Sequence, residues 1–70
     1  MDLRGKHITL GELLDDPGAC ALFRRRFGAL MEHPMVRAAR SLTLEQLEEL
    51  AAVWLPRSVI REFLRELSGL

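Results

Sequence analysis

The sequence contains very little cysteine and histidine, which limits the chemistry that it can carry. Its one cysteine, Cys20, excludes a disulfide within the chain. The only other soft metal ligands are His7 and His33, and no pair of ligands has the spacing typical of a zinc site. No set of residues has the pattern of a catalytic centre either. We therefore expect a protein that is not an enzyme and that has no metal, cofactor or catalytic residue.

The chain also lacks net charge and long apolar runs. Ten basic and ten acidic side chains give a formal net charge of zero, whereas a general nucleic-acid-binding domain is expected to be strongly basic. No run approaches the roughly 18 apolar residues of a membrane-spanning helix. Residues 1–7 are polar and do not resemble a secretory signal. We expect a soluble, cytoplasmic protein with no membrane partner.

What is present is a short chain with a large apolar fraction. Its 70 residues allow one domain, and a hydrophobic content of 49% is too high for a disordered tail. A small single core gives only a few kcal/mol of stability, so chains of this length often depend on a partner subunit. We therefore expect self-association or attachment to a larger chain.

Two helix-start signals follow each other in residues 9–17. Thr9 and Glu12 have the spacing of a capping box, in which each side chain accepts a hydrogen bond from the other residue's backbone N–H. Asp16 before Pro17 is typical of an N-cap followed by proline at the first helical position. The pattern predicts a one-turn helix that runs directly into a longer one.

Apolar spacing and prolines predict the elements that come next. Apolar residues recur every three or four positions from Pro17 to about Phe27, where Gly28 weakens the helix. Pro34 can begin a short helix. The buried stripe of that helix is expected to be Met35, Val36 and Ala39.

The second half of the chain repeats the capping signal. Thr43 and Gln46 form a second capping box. The helix that follows ends before Pro56, which is expected to begin the last helix. Gly69 can end that helix in the left-handed conformation of a C-terminal cap.

These signals together predict an all-α fold. No segment shows the alternation of polar and apolar residues that marks a strand, so we expect a compact bundle of four to five short helices and no sheet. The single helical domain covers residues 9–70, and residues 1–8 form a lead-in segment whose composition is compatible with disorder. The predicted core comprises Leu13, Leu14, Leu22, Phe23, Phe27, Met35, Leu44, Leu47, Trp54, Ile60, Phe63 and Leu67.

Arginines are the best candidates for a binding function. Residues 17–43 contain five arginines and one acid, Glu32. Arginine can hold phosphate or carboxylate through two parallel hydrogen bonds, so a cationic face could bind an anionic ligand or nucleic acid. The simpler interpretation is a solvated or structural role, and no recognition helix or interleaved aromatic pattern supports nucleic acid. The candidate residues are Arg24, Arg25, Arg26, Arg37 and Arg40.

Three further residues have both a structural and a functional interpretation. Cys20 is either a small buried hydrophobe, which we favour, or a reactive thiol near a helix N-terminus. His33 suits a turn-capping or solvated role better than catalysis, because it has no recognisable partner. Trp54 either closes the core or acts as a binding hot spot at a protein interface.

Two resemblances to known modules support the helical interpretation. Residues 8–17, with Leu22 and Phe27, resemble the N-terminal domain of bacterial iron–sulfur-cluster repair proteins, but residues 28–30 replace its cysteines. Residues 9–67 look more like a short accessory segment at the end of some bacterial carbohydrate-active and esterase-type enzymes. The residues that carry this likeness are Phe27-Gly28, Pro34-Met35, Ala38-Ala39, Ser41 to Leu47 and the helix after Pro56. The resemblance implies an accessory domain and no activity of its own.

The sequence as a whole predicts a non-enzymatic helical module that acts by contact with other proteins. Its partner would be another protein, a fused catalytic domain or a second copy of the chain that pairs through the last two helices. One alternative is binding of an anionic ligand or nucleic acid by the five arginines. Another is a small pocket for an apolar ligand, lined by Phe23, Phe27, Met31 and Met35.

Overall fold

The computed structural model describes all 70 residues, and their capping and apolar patterns produce an all-helical chain, as predicted. The five α-helices are α1 (Leu10–Asp15), α2 (Pro17–Phe27), α3 (Pro34–Ala38), α4 (Leu44–Ala51) and α5 (Arg57–Ser68). Short 3-10 turns occupy Arg4–Lys6, Gly28–Glu32 and Ala39–Ser41, and there is no sheet. The Cα radius of gyration is 11.0 Å, as expected for a compact domain of this length. No helix is both long and apolar enough to cross a membrane.

The caps of the first two helices are confirmed. The Thr9 hydroxyl accepts a hydrogen bond from the Glu12 backbone N–H at 3.2 Å, and the Glu12 carboxylate accepts one from the Thr9 N–H at 3.4 Å. The Asp16 carboxylate accepts from the Ala19 N–H at 2.9 Å, and Pro17 is the first helical residue. These bonds satisfy N–H groups that the first turn of a helix leaves unpaired. Two helices can therefore follow each other with a single residue between them.

The second capping box is also confirmed, and its threonine pairs with the first. The Thr43 hydroxyl accepts from the Gln46 N–H at 3.2 Å, and the Gln46 side-chain oxygen accepts from the Thr43 N–H at 2.9 Å. Thr9 and Thr43 form an isolated antiparallel β-bridge. The starts of α1 and α4 are therefore fixed to each other.

The end of the chain differs from the prediction in two details. Pro56 lies one residue before α5, which begins at Arg57. Gly69 does not adopt the predicted left-handed conformation, because its φ is −80° and its ψ is −5°. Its N–H instead reaches back to the carbonyls of Arg65 and Glu66, each at 3.2 Å, as in a right-handed turn. The glycine thus continues the helical turn without needing a positive φ.

The core is smaller than predicted and lies among α1, α2, α4 and α5. Its nine buried apolar residues are Ile8, Leu10, Leu13, Ala19, Leu22, Phe23, Leu44, Phe63 and Leu67. Phe63 joins α5 to α2, because its ring centroid lies 4.9 Å from that of Phe23 and 5.2 Å from that of Phe27 in edge-to-face geometry. Such aromatic pairs add attraction to the burial of the rings themselves.

Two residues predicted for the core, Met35 and Trp54, are largely exposed. Met35 is the second residue of a helix of one and a half turns, and only Val36 and Ala39 of its predicted stripe are half-buried. Trp54 was placed on the apolar face of α4, but this helix ends at Ala51. The helical register therefore no longer directs Trp54 towards the core.

The lead-in segment, residues 1–8, lies against the end of the chain. The Met1 ammonium donates hydrogen bonds to the backbone carbonyls of Ser68, at 3.0 Å, and Leu70. Lys6 forms an ion pair with Glu48 of α4 at 2.8 Å. Ile8 is buried in the core just before the Thr9 cap.

Candidate functional site

A groove lined almost only by apolar side chains runs across one face of the bundle. Its volume is about 350 Å³, and Glu48 is the one charged residue among those that line it. From α2, the 28–32 turn and α3, its lining includes Phe23, Phe27, Leu30, Met31, Met35 and Val36. From α4, α5 and their connection, the lining includes Leu47, Leu50, Ala51, Trp54, Leu55, Val59, Ile60 and Leu64.

The large apolar side chains at the edge of the groove are exposed to solvent. The exposed fraction is 59% for Leu30, 66% for Met35, 56% for Leu50 and 85% for Trp54. Single exposed apolar residues are ordinary, but a continuous set around one groove is not. The residues therefore form a surface that can bind an apolar partner.

The turn after α4 places Trp54 at the groove. Helix α4 ends at Ala51, and a tight turn follows in which the N–H groups of Trp54 and Leu55 both donate to the Ala51 carbonyl, at 2.9 and 2.8 Å. Trp54 lies in this turn, lines the groove and is exposed.

Some of the residues that line the groove were predicted from the sequence to be functional, and others were not. The four proposed for an apolar ligand pocket, Phe23, Phe27, Met31 and Met35, all line the groove, as does Trp54. The edge residues Leu30, Leu50 and Val59 were not named as functional. Their apolar character was visible, but their exposure depends on how the helices pack.

The five candidate arginines do not form one continuous face. Arg25 and Arg26 approach Glu66 of α5, with Arg25 at 3.8 Å, so they tie α2 to α5. Arg40 pairs with Asp15 at 2.9 Å and reaches the Gly11 carbonyl at 3.4 Å. Arg24 and Arg37 form no ion pair within the chain.

Arg24, Arg37 and Arg40 nevertheless meet around a second cavity of about 480 Å³ between α2 and α3. Cys20, Glu32 and His33 also line it. The sequence predicted the arginines as a group but gave no sign that His33 lies beside them. The turn at residues 28–32 connects α2 to α3, and side chains of both helices line the cavity.

His33 has the capping role that the sequence favoured. Its Nδ1 accepts a hydrogen bond from the Met35 backbone N–H at 3.1 Å and so caps α3. Because Nδ1 is an acceptor, the neutral ring carries its proton on Nε2 and can donate from that atom. Cys20 is half-buried at the other side of the cavity.

A third cavity contains charged residues of both signs. It lies between α4 and α5, where Arg57 and Arg61 are found with Glu45 and Glu49. No three histidine, cysteine or acidic side chains anywhere in the molecule are grouped so that they could hold a metal ion.

Comparison with protein-family models, with curated proteins and with solved structures finds no match to this chain. The resemblance to accessory segments of bacterial enzymes stays a prediction.

Proposed function

We propose that the protein is a non-enzymatic helical module that acts by contact through its apolar groove. The observation that supports this most is the shared exposure of Leu30, Met35, Leu50 and Trp54 around the groove. Removing apolar surface from water favours association, and lost translational, rotational and side-chain freedom opposes it. Monomeric proteins rarely expose such a continuous patch, and patches of this kind mark interaction sites.

The occupant that the molecule favours is a second copy of the chain. The groove and its projecting Trp54 lie on the same face, so two copies related by a two-fold axis would each present a groove and a tryptophan to the other. A formal net charge of zero means that identical copies do not repel each other as whole molecules.

The available surface is sufficient for a dimer of ordinary size. A standard interface covers about 800 Å² of each partner, against a total accessible surface of 4962 Å² for this chain. The molecule measures 27 × 26 × 21 Å along its principal axes, so the interface would use most of one face. Trp54, at the edge of the groove, is one of the residue types enriched among binding hot spots.

Sedimentation equilibrium with single substitutions tests the proposal. The wild type is expected to reach a dimer mass as its concentration rises, and Leu50→Ser and Trp54→Ser are expected to stay monomeric. Leu70→Ser is the matched control, because Leu70 is 50% exposed but does not line the groove. A wild type that stays monomeric at millimolar concentration, or equal association of all three variants, would overturn the proposal.

The same groove also supports a second candidate function, binding of a small apolar ligand. Its volume of about 350 Å³ is within the range of small-molecule sites, and methionine side chains can adapt to different ligands. Met31 and Met35 both line it. An apolar ligand should bind the monomer and compete with self-association, whereas failure of apolar compounds to shift the dimer–monomer equilibrium would contradict this candidate.

A further inference from the structure

The cavity between α2 and α3 has a strong excess of positive charge. Arg24, Arg37 and Arg40 line it, and Glu32 is the only acidic residue that does so. With His33 neutral, these residues give a formal charge of +2. Side chains of both helices contribute, so the excess arises from the fold and not from one run of arginines.

Two of the three guanidinium groups are available to a ligand. Arg24 and Arg37 are exposed and form no ion pair within the chain. Arg40 is already bound to Asp15 at 2.9 Å, but a guanidinium has five N–H donors and this pair uses only some of them. Glu32 also forms no ion pair, so its negative charge repels an anion in the part of the cavity that it lines.

From these positions we propose that the cavity is a binding site for the phosphate group of a small phosphorylated molecule. A phosphomonoester carries close to two negative charges above about pH 7. Arg24 and Arg37 supply two positive charges that no acidic side chain of the chain pairs with. Arginine forms two parallel hydrogen bonds with phosphate, and Nε2 of His33 is a further donor at the same cavity. The cavity shares Met31 and Val36 with the groove proposed for protein contact, but none of its charged side chains lines that groove.

The remaining wall suits the organic part of such a molecule. Leu14, Met31, Pro34 and Val36 line the cavity beside the arginines. An anion with an apolar body would therefore contact the basic and the apolar part of the wall together. The structure favours an aromatic or aliphatic phosphomonoester over inorganic phosphate, because the latter uses only the arginines.

Nuclear magnetic resonance titration of the full chain with phenyl phosphate and with inorganic phosphate, at matched ionic strength, tests the site. The amide resonances of Cys20, Arg24, Glu32, His33 and Arg37, which line this cavity and not the groove, should shift most. Phenyl phosphate should bind more tightly than inorganic phosphate. The double variant Arg24→Gln/Arg37→Gln should bind phenyl phosphate at least about tenfold more weakly, because two charge-assisted donors are lost.

The matched control is Arg57→Gln/Arg61→Gln, which removes two exposed arginines that line a different cavity. It should bind phenyl phosphate as the wild type does. Equal weakening in both double variants would show a general charge effect and overturn the proposal, as would the absence of localised shifts in the wild type. Trp54→Ser, which tests the groove, should retain phosphate binding, so failure of one site is distinguishable from failure of the other.

Discussion

Thr9 and Thr43, the N-cap residues of α1 and α4, pair with each other in an antiparallel β-bridge. The Leu10 N–H donates to the Leu42 carbonyl at 2.9 Å, and the Leu44 N–H donates to the Ile8 carbonyl at 2.8 Å. Each threonine also completes its own capping box. Two helix starts that lie far apart in the sequence are thereby joined at one point beside the core.

The two caps are expected to contribute similarly to stability. Thr9→Ala and Thr43→Ala should each lower the free energy of unfolding by about 1 kcal/mol, because each leaves a helix N–H without its acceptor. Urea denaturation measures the change. Ser41→Ala is the control, because Ser41 is exposed and its loss should change the free energy by less than about 0.5 kcal/mol. A control effect as large as that of either threonine would contradict the role of the caps.

Gly11 is expected to resist replacement by alanine. Alanine normally stabilises a helix by about 1 kcal/mol relative to glycine, but a Cβ at Gly11 would lie 3.2 Å from the backbone oxygen of Arg40. That oxygen belongs to a turn held by the bridge beyond it, so it cannot move freely. We expect Gly11→Ala to lower the melting temperature.

The control for that prediction is Gly69→Ala. Gly69 has a φ of −80°, and a Cβ there would meet its nearest atom at an ordinary 3.5 Å. The melting temperature should change little. A rise in melting temperature for Gly11→Ala would show that α1 and the 39–41 turn are not in fixed contact.

Glu66 connects α5 to α2 and should contribute modestly to stability. Its carboxylate pairs with Arg26 and lies 3.8 Å from Arg25. Glu66→Gln should lower the free energy of unfolding by about 0.5–1 kcal/mol, and about 1 M salt should remove most of the difference. Glu62→Gln, which affects only an exposed pair with Arg65, should have almost no effect. Equal effects in the two variants would contradict the proposed link between the helices.

Local signals in the sequence were sufficient to predict the helices. A capping box is complete within four residues, and an N-cap before proline within two. Thr9, Asp16 and Thr43 therefore identified three helix starts without knowledge of the fold. The same holds for Phe27 as the last residue of α2, because Gly28 follows it directly. The prediction of a left-handed Gly69 was wrong, because the Gly69 N–H can also reach the carbonyls of the last turn from a right-handed conformation.

Features that depend on contacts between helices could not be predicted in this way. The apolar spacing of α4 extends to Trp54, but only the tight turn after Ala51 determines that this side chain leaves the core. Similarly, Arg24 and Arg37 are far apart in the sequence and lie on different helices. They line the same cavity because the 28–32 turn connects α2 to α3. The sequence was sufficient to predict the arginines as candidate binding residues. It was not sufficient to tell which of them bind Glu66 and which line a cavity.

We propose that a second copy of the chain covers the apolar groove, and Trp54 reports on this contact directly. It is the only tryptophan and there is no tyrosine, so the emission of the protein comes from this one side chain, which is 85% exposed in the single chain. Fluorescence emission should therefore be measured across protein concentrations that span the monomer–dimer transition. We predict a shift to shorter wavelength that follows the fraction of dimer, because association removes the indole from water. Emission that stays at the wavelength of a fully hydrated indole while the mass doubles, or a mass that never doubles, would contradict the claim.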